Sequence, residues 1–139
     1  MSEENVEIVR RVFEAFNRGG HPAVESAGFL ANEVVFDGTR AEIPGVGVLR
    51  GIDEVRTFFK EEWFAAFPFE DWEIHIEEPI DNGDQVIVTS RQQGRGASSG
   101  AQGSELTLGN VFTVHNAEIV RIQVFGRPED ALESAGLSE

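Results

Sequence analysis

The stretch SELTLGNVFTVHNAEIVRIQVFG, residues 104–126, decides the fold class. Its two halves carry apolar residues at alternate positions and are separated by His115-Asn116-Ala117. Strand side chains point alternately to opposite faces. Residues 104–114 and 118–126 therefore read as two strands joined by a turn. In the first, Leu106, Leu108, Asn110, Phe112 and Val114 share a face, and Asn110 is the polar interruption of that apolar row. A buried amide needs partners, so Asn110 is either tied to the protein or left to meet a ligand. In the second strand Val120, Ile122 and Val124 share one face, and Arg121, Gln123 and Phe125 the other. A helical layer on one side covers only one of these faces. The alternation alone favours the Val120 row looking inward.

Outward from this hairpin, two further strands precede it at about 69–78 and 85–94, with the turn Asp81-Asn82-Gly83-Asp84 between them. On the earlier one Trp72, Ile74 and Ile76 share a face and Glu73, His75 and Glu77 the other. Upstream, Ser2 caps a first helix whose apolar stripe is Val6, Val9, Val12, Phe13 and Phe16, and Gly19-Gly20 ends it. Pro22 opens a short second helix that closes near Gly28. Residues 33–37 read as a strand, and residues 43–49 as a loop or short hairpin. A third helix follows Gly51 with the stripe Ile52, Val55, Phe58, Phe59, Trp63 and Phe67, and Pro68 stops it. Pro128 starts a short closing helix that Gly136 ends. The pattern predicts one α+β domain over residues 1–139: three N-terminal helices on a curved, mostly antiparallel sheet, a short C-terminal helix, and a pocket between the layers.

The composition fits that reading. Of 139 residues, 40% are hydrophobic and 26% charged, which is ordinary for a globular domain. No apolar run has the ~18–20 residues that a membrane span needs. The N-terminus lacks the basic-then-apolar order of a signal peptide, so a cytoplasmic protein is expected. With no cysteine, disulfide and thiolate chemistry are excluded. A formal net charge of −14 repels phosphates, so neither nucleic acid nor an anionic membrane is an expected partner. The glycine-rich segment GRGASSGAQG, residues 94–103, leads into a strand rather than a helix N-terminus, so it reads as a hairpin tip and not a phosphate cradle. His21, His75 and His115 have no partner at ligand spacing, so no metal is expected, and no cofactor either.

Several phrases together resemble the SnoaL-like group of the nuclear transport factor 2-like superfamily. They are residues 9–19 (VRRVFEAFNRG), 29–37 (FLANEVVFD), 51–59 (GIDEVRTFF), 111–114 (VFTV), 118–121 (EIVR) and the tail 129–137 (EDALESAGL). The resemblance spans nearly the whole chain. It implies a cone, with the helices on the concave side of a strongly bent sheet, and a homodimer formed through the outer sheet face. It thereby turns Arg121, Gln123 and Phe125 inward and puts the Val120 row at a two-fold interface. The superfold hosts isomerases, cyclases, hydrolases, dehydratases and non-catalytic binders.

The resemblance also supplies candidate chemistry. Ketosteroid isomerases of this superfamily pair a carboxylate base with an oxyanion hole made by a tyrosine and a protonated aspartate. Asp37 falls at the base position, Val12 at the tyrosine position and Asn110 at the aspartate position. The chain has no Tyr at all. One oxyanion donor in place of two is a damaged site for enolisation. SnoaL-type cyclases need an acid/base group, which Asp37 supplies if its pKa is raised. Two readings stay open. One is a cofactor-free isomerase, cyclase or hydrolase for an apolar carbonyl-bearing or cyclic compound, with Asp37 as base and Asn110 as polarising donor. The other is a non-catalytic hydrophobic-ligand binder or dimeric interaction domain. In both, Val12, Phe16, Trp63, Trp72, Phe112, Gln123 and Phe125 are the expected pocket wall.

Overall fold

The structure, a computed structural model, describes residues 2–41, 47–63, 73–93 and 105–137. Helix α1 runs Ser2–Ser26 and is broken at Gly20, whose φ of 72° only glycine takes without strain. Pro22 sits just past the break, where its missing N–H costs nothing. The two expected helices are thus the two arms of one bent helix. Strand β1 (Leu30–Arg40) and the short β2 (Val48–Arg50) follow, then α2 (Ile52–Phe58), which passes into a π-helical turn at Phe59–Trp63. Next come β3 (Glu73–Ile76), β4 (Ile80–Asn82), β5 (Gln85–Gln93), β6 (Glu105–His115) and β7 (Glu118–Phe125), and helix α3 (Pro128–Ser134) closes the fold. The glycine-rich segment and the rest of the loop before Gly47 lie outside the described residues.

The strands form one curved, unclosed sheet in the order β2-β1-β7-β6-β5-β3, with β4 also on β5. Only the β1–β7 pair is parallel. On the concave face, Val9, Phe13 and Phe16 of α1 and Val55 and Phe58 of α2 pack against Val34, Ile74, Val86, Val88, Phe112 and Ile119. Phe13 meets Phe112 edge to face, with ring centroids 5.6 Å apart. On the convex face, α3 places Ala131 over Ile87, Val111 and Phe125. Strand β6 is therefore buried on both sides. Gly109 is the seat of α3: a Cβ there would stand 2.7 Å from Ala131 Cβ and 2.9 Å from Pro128 Cα.

Strand β3 is an edge strand, and α1 covers its open backbone. Asn17 Nδ2 donates to the Ile74 carbonyl, and the Ile74 N–H donates to Asn17 Oδ1, both at 2.8 Å. The side chain thus imitates a neighbouring strand and satisfies the groups that an edge leaves unpaired. Replacing Asn17 with alanine is expected to lower unfolding stability by about 1–2 kcal/mol, since two hydrogen bonds go and water repairs part of the loss at this exposed residue. Urea denaturation checks it.

One feature of β7 reverses an expectation. Val114 faces Ile119 and His115 faces Glu118, but Thr113 faces Arg121 and Phe112 faces Ile122. Val120 is thus an extra residue, a β-bulge. An extra residue exchanges the two faces of a strand. Before the bulge Ile119 is in the core, and after it Ile122 and Val124 look inward. Arg121, Gln123 and Phe125 consequently look outward, and Ile122 and Val124, of the row assigned to a two-fold interface, face the interior instead. Phe125 is buried all the same, because α3 covers it and the Arg40 guanidinium lies 5.2 Å from its ring centroid.

Candidate functional site

Between the helices and the concave sheet face lies a cavity of about 110 Å³. Its wall comes from every layer. Helix α1 gives Val12, Phe13, Phe16 and Val24, β1 gives Leu30 and Phe36, and α2 with its π-helical extension gives Val55, Phe58 and Phe59. The sheet closes the other side with Ile74, Leu108, Phe112, Ile122 and Val124. The α2 aromatics are packed edge to face, Phe58 on Phe59 at 5.2 Å and Phe59 on Phe36 at 5.7 Å, which fixes their orientation.

Two polar side chains reach this wall, Gln92 and Asn110. Along β5 the inward positions are Val86, Val88, Ser90 and Gln92, so the face turns polar toward one end of the strand. Ser90 is fully buried and Asn110 nearly so. The Ser90 hydroxyl donates to Asn110 Oδ1 at 2.9 Å. Among the described residues no acceptor meets Asn110 Nδ2. The amide is therefore half satisfied: its oxygen is engaged, its N–H donors meet no acceptor among the described residues, and the residue lines the cavity. No ionisable side chain lines the cavity among the described residues.

Asp37 is elsewhere. Its neighbour Phe36 lines the cavity, so strand alternation sends Asp37 to the opposite, convex face. There the Thr39 hydroxyl donates to Oδ1 at 2.6 Å and the Thr39 N–H at 3.0 Å, while Arg121 Nη2 is 3.4 Å from Oδ2. The Thr39 hydroxyl first, then its N–H and the nearby Arg121 and Arg40, hold this carboxyl below its ordinary 3.8, against an opposing push from partial burial. A general base for carbon acids needs the reverse shift. The assignment of Asp37 as the base is corrected on both grounds.

A consequence is measurable. A carboxyl with a depressed folded-state pKa contributes stability above its unfolded pKa and loses that contribution as pH falls through the folded value. Asp37→Asn is expected to be less stable than the parent at pH 7, with the difference shrinking toward zero below about pH 3.8. Melting temperatures across pH 2–7 check it.

Of the other expected wall residues, Val12, Phe16, Asn110 and Phe112 line the cavity, and Gln123 and Phe125 do not, because of the bulge at Val120. The side chain of Trp63 and all of Trp72 lie outside the described residues. Ser90 and Gln92 belong to no motif, and the signal for them is their alternation with Val86 and Val88, which puts them on the core face. The π-helical turn at Phe59–Trp63 had no sequence signal, although Phe58 and Phe59 both belong to the apolar stripe expected of that helix. Among the described residues no group of three or more His, Asp or Glu is gathered as metal ligands would be. No described helix is long and apolar enough to cross a membrane.

The SnoaL-like domain matches this sequence over residues 9–122. The chain belongs to the SnoaL-like family. Among solved structures, an NTF2-like protein of unknown function from Burkholderia pseudomallei is 20% identical, with a TM-score of 0.74 over 94% of this chain and 95% of that one. A candidate SnoaL-like polyketide cyclase from Jannaschia is 21% identical, with a TM-score of 0.65 over 89% and 85%. A candidate ketosteroid isomerase from Kribbella flavida is 15% identical, with a TM-score of 0.66 over 89% and 78%. A comparison with curated proteins finds no match. At these identities the likenesses establish for the SnoaL-like chain a fold, the curved α+β cone, and no particular activity.

Proposed function

We propose that this SnoaL-like protein binds, without turnover, a small apolar molecule carrying one hydrogen-bond acceptor, a ketone or similar carbonyl. The observation that carries the reading is the Asn110 amide: a buried donor with no protein acceptor among the described residues, on a wall that is apolar among those residues apart from Gln92. Burying such a donor is unfavourable unless something accepts from it. The size of the cavity limits the occupant. A dry protein cavity of ~150 Å³ holds benzene, so about 110 Å³ suits a single ring better than a steroid. Binding is favoured over catalysis because the described wall carries no acid/base group and Asp37 is on the far side of the sheet.

The test is calorimetric titration with cyclohexanone and its shape-matched hydrocarbon methylenecyclohexane. The ketone is expected to bind about five- to tenfold tighter, one net hydrogen bond. Asn110→Leu should bring that ratio to one, Asp37→Asn should leave it unchanged, and the ketone should be recovered intact. Equal affinities in the parent protein would sink the donor role, and conversion of the ketone would sink the non-catalytic reading.

A further inference from the structure

We infer that Ser90 sets the polarity of the cavity: by holding the Asn110 amide in one of its two orientations, it makes the site select carbonyls against alcohols. The inference rests on the binding reading above and goes beyond it to the ligand class. An asparagine amide has a donor end and an acceptor end of nearly the same shape, and its neighbours decide which end faces where. Here the neighbour is Ser90. Its hydroxyl is completely buried, and among the described residues its recorded partner is Asn110 Oδ1, at 2.9 Å. Turning the amide over would point Nδ2 at the hydroxyl and leave the buried hydroxyl proton without that acceptor, which is unfavourable. The hydroxyl thus pins Oδ1 away from the ligand and commits Nδ2 to the cavity.

The selectivity follows. A ketone oxygen accepts from Nδ2 and brings no donor of its own. An alcohol of the same skeleton also accepts from Nδ2, but its O–H, unless it turns toward Gln92, then lies against the phenylalanine, leucine and valine side chains of the wall. The cost is that of a buried donor left unpaired, so alcohols are expected to bind about tenfold more weakly. Ser90 is a positioning residue here, since it acts through Asn110.

The experiment compares cyclohexanone with cyclohexanol in the parent protein, Ser90→Ala and Ser90→Cys, by titration calorimetry, with circular dichroism to verify folding. Ser90→Ala removes one oxygen and adds nothing to a tightly packed place. The parent should prefer the ketone about tenfold. In Ser90→Ala the amide is free to turn, so ketone affinity should fall while alcohol affinity rises, bringing the ratio near one. Ser90→Cys, with a weaker donor, should lie between. A purely structural role would weaken both ligands in parallel, and that result, or an unchanged ratio, overturns the inference while leaving the binding reading intact. If the parent binds neither compound, the binding reading and this inference fail together.

Discussion

Replacing Phe112 with alanine is expected to cost about 4 kcal/mol of unfolding free energy, near the middle of the range for a buried phenylalanine. The ring is 3% exposed, sits on the concave face of a central strand, and packs edge to face on Phe13. Its loss removes apolar burial and an aromatic pair that adds about 1 kcal/mol beyond area. The neighbours cannot collapse into the gap easily, because Phe13, Leu108 and Ile122 are held by a helix and by paired strands. Phe112 also walls the cavity, so the variant should have a larger one. Saturating benzene should therefore raise the melting temperature of Phe112→Ala more than that of the parent, because a ligand bound only to the native state stabilises it. A loss under about 2 kcal/mol, outside the range for such truncations, would mean that the ring is not part of a continuous core.

The second large effect is on the other face of the same strand. Gly109→Val is expected to lower stability by about 3 kcal/mol, the upper end for overpacking. The first added carbon already meets Ala131 Cβ and Pro128 Cα at distances that packed atoms do not reach, and Pro128 presents backbone that has no rotamer to yield. Helix α3 must lift, and Phe125, Ile87 and Val111 lose their cover. Because α3 and the cavity lie on opposite faces of the sheet, ketone affinity should be unchanged in the folded fraction. A variant that keeps its stability within about 0.5 kcal/mol, as ordinary surface substitutions do, would place α3 elsewhere.

These two residues show what the sequence disclosed. The inward row of β6 was legible because five alternate positions are apolar except Asn110, and no bulge interrupts the strand before its end. The bent α1 was legible from Gly19-Gly20 and Pro22, whose backbone requirements are local. The bulge in β7 was not, because an extra residue such as Val120 belongs to the pairing of two strands rather than to either alone. Read by alternation, Ile122 and Val124 go inward, and the resemblance overrode that reading wrongly. Asp37 failed for a related reason. Its place at a strand end matched a family pattern, but its face follows from Phe36 beside it, Thr39 two residues on holds it locally, and Arg121 comes to it by tertiary contact. The Ser90–Asn110 pair joins residues 20 apart on neighbouring strands, which requires the register to be known.

The central claim is that the Asn110 amide donates to a ligand in the cavity, and its side-chain N–H₂ signals report on this directly. In a ¹H–¹⁵N spectrum, the signal pair absent from Asn110→Leu identifies them. Titration with cyclohexanone should move that pair markedly downfield, as a new hydrogen bond forms, and leave the Asn17 pair, bound to the β3 backbone, in place. A protein that binds the ketone while the Asn110 signals stay fixed would contradict the account.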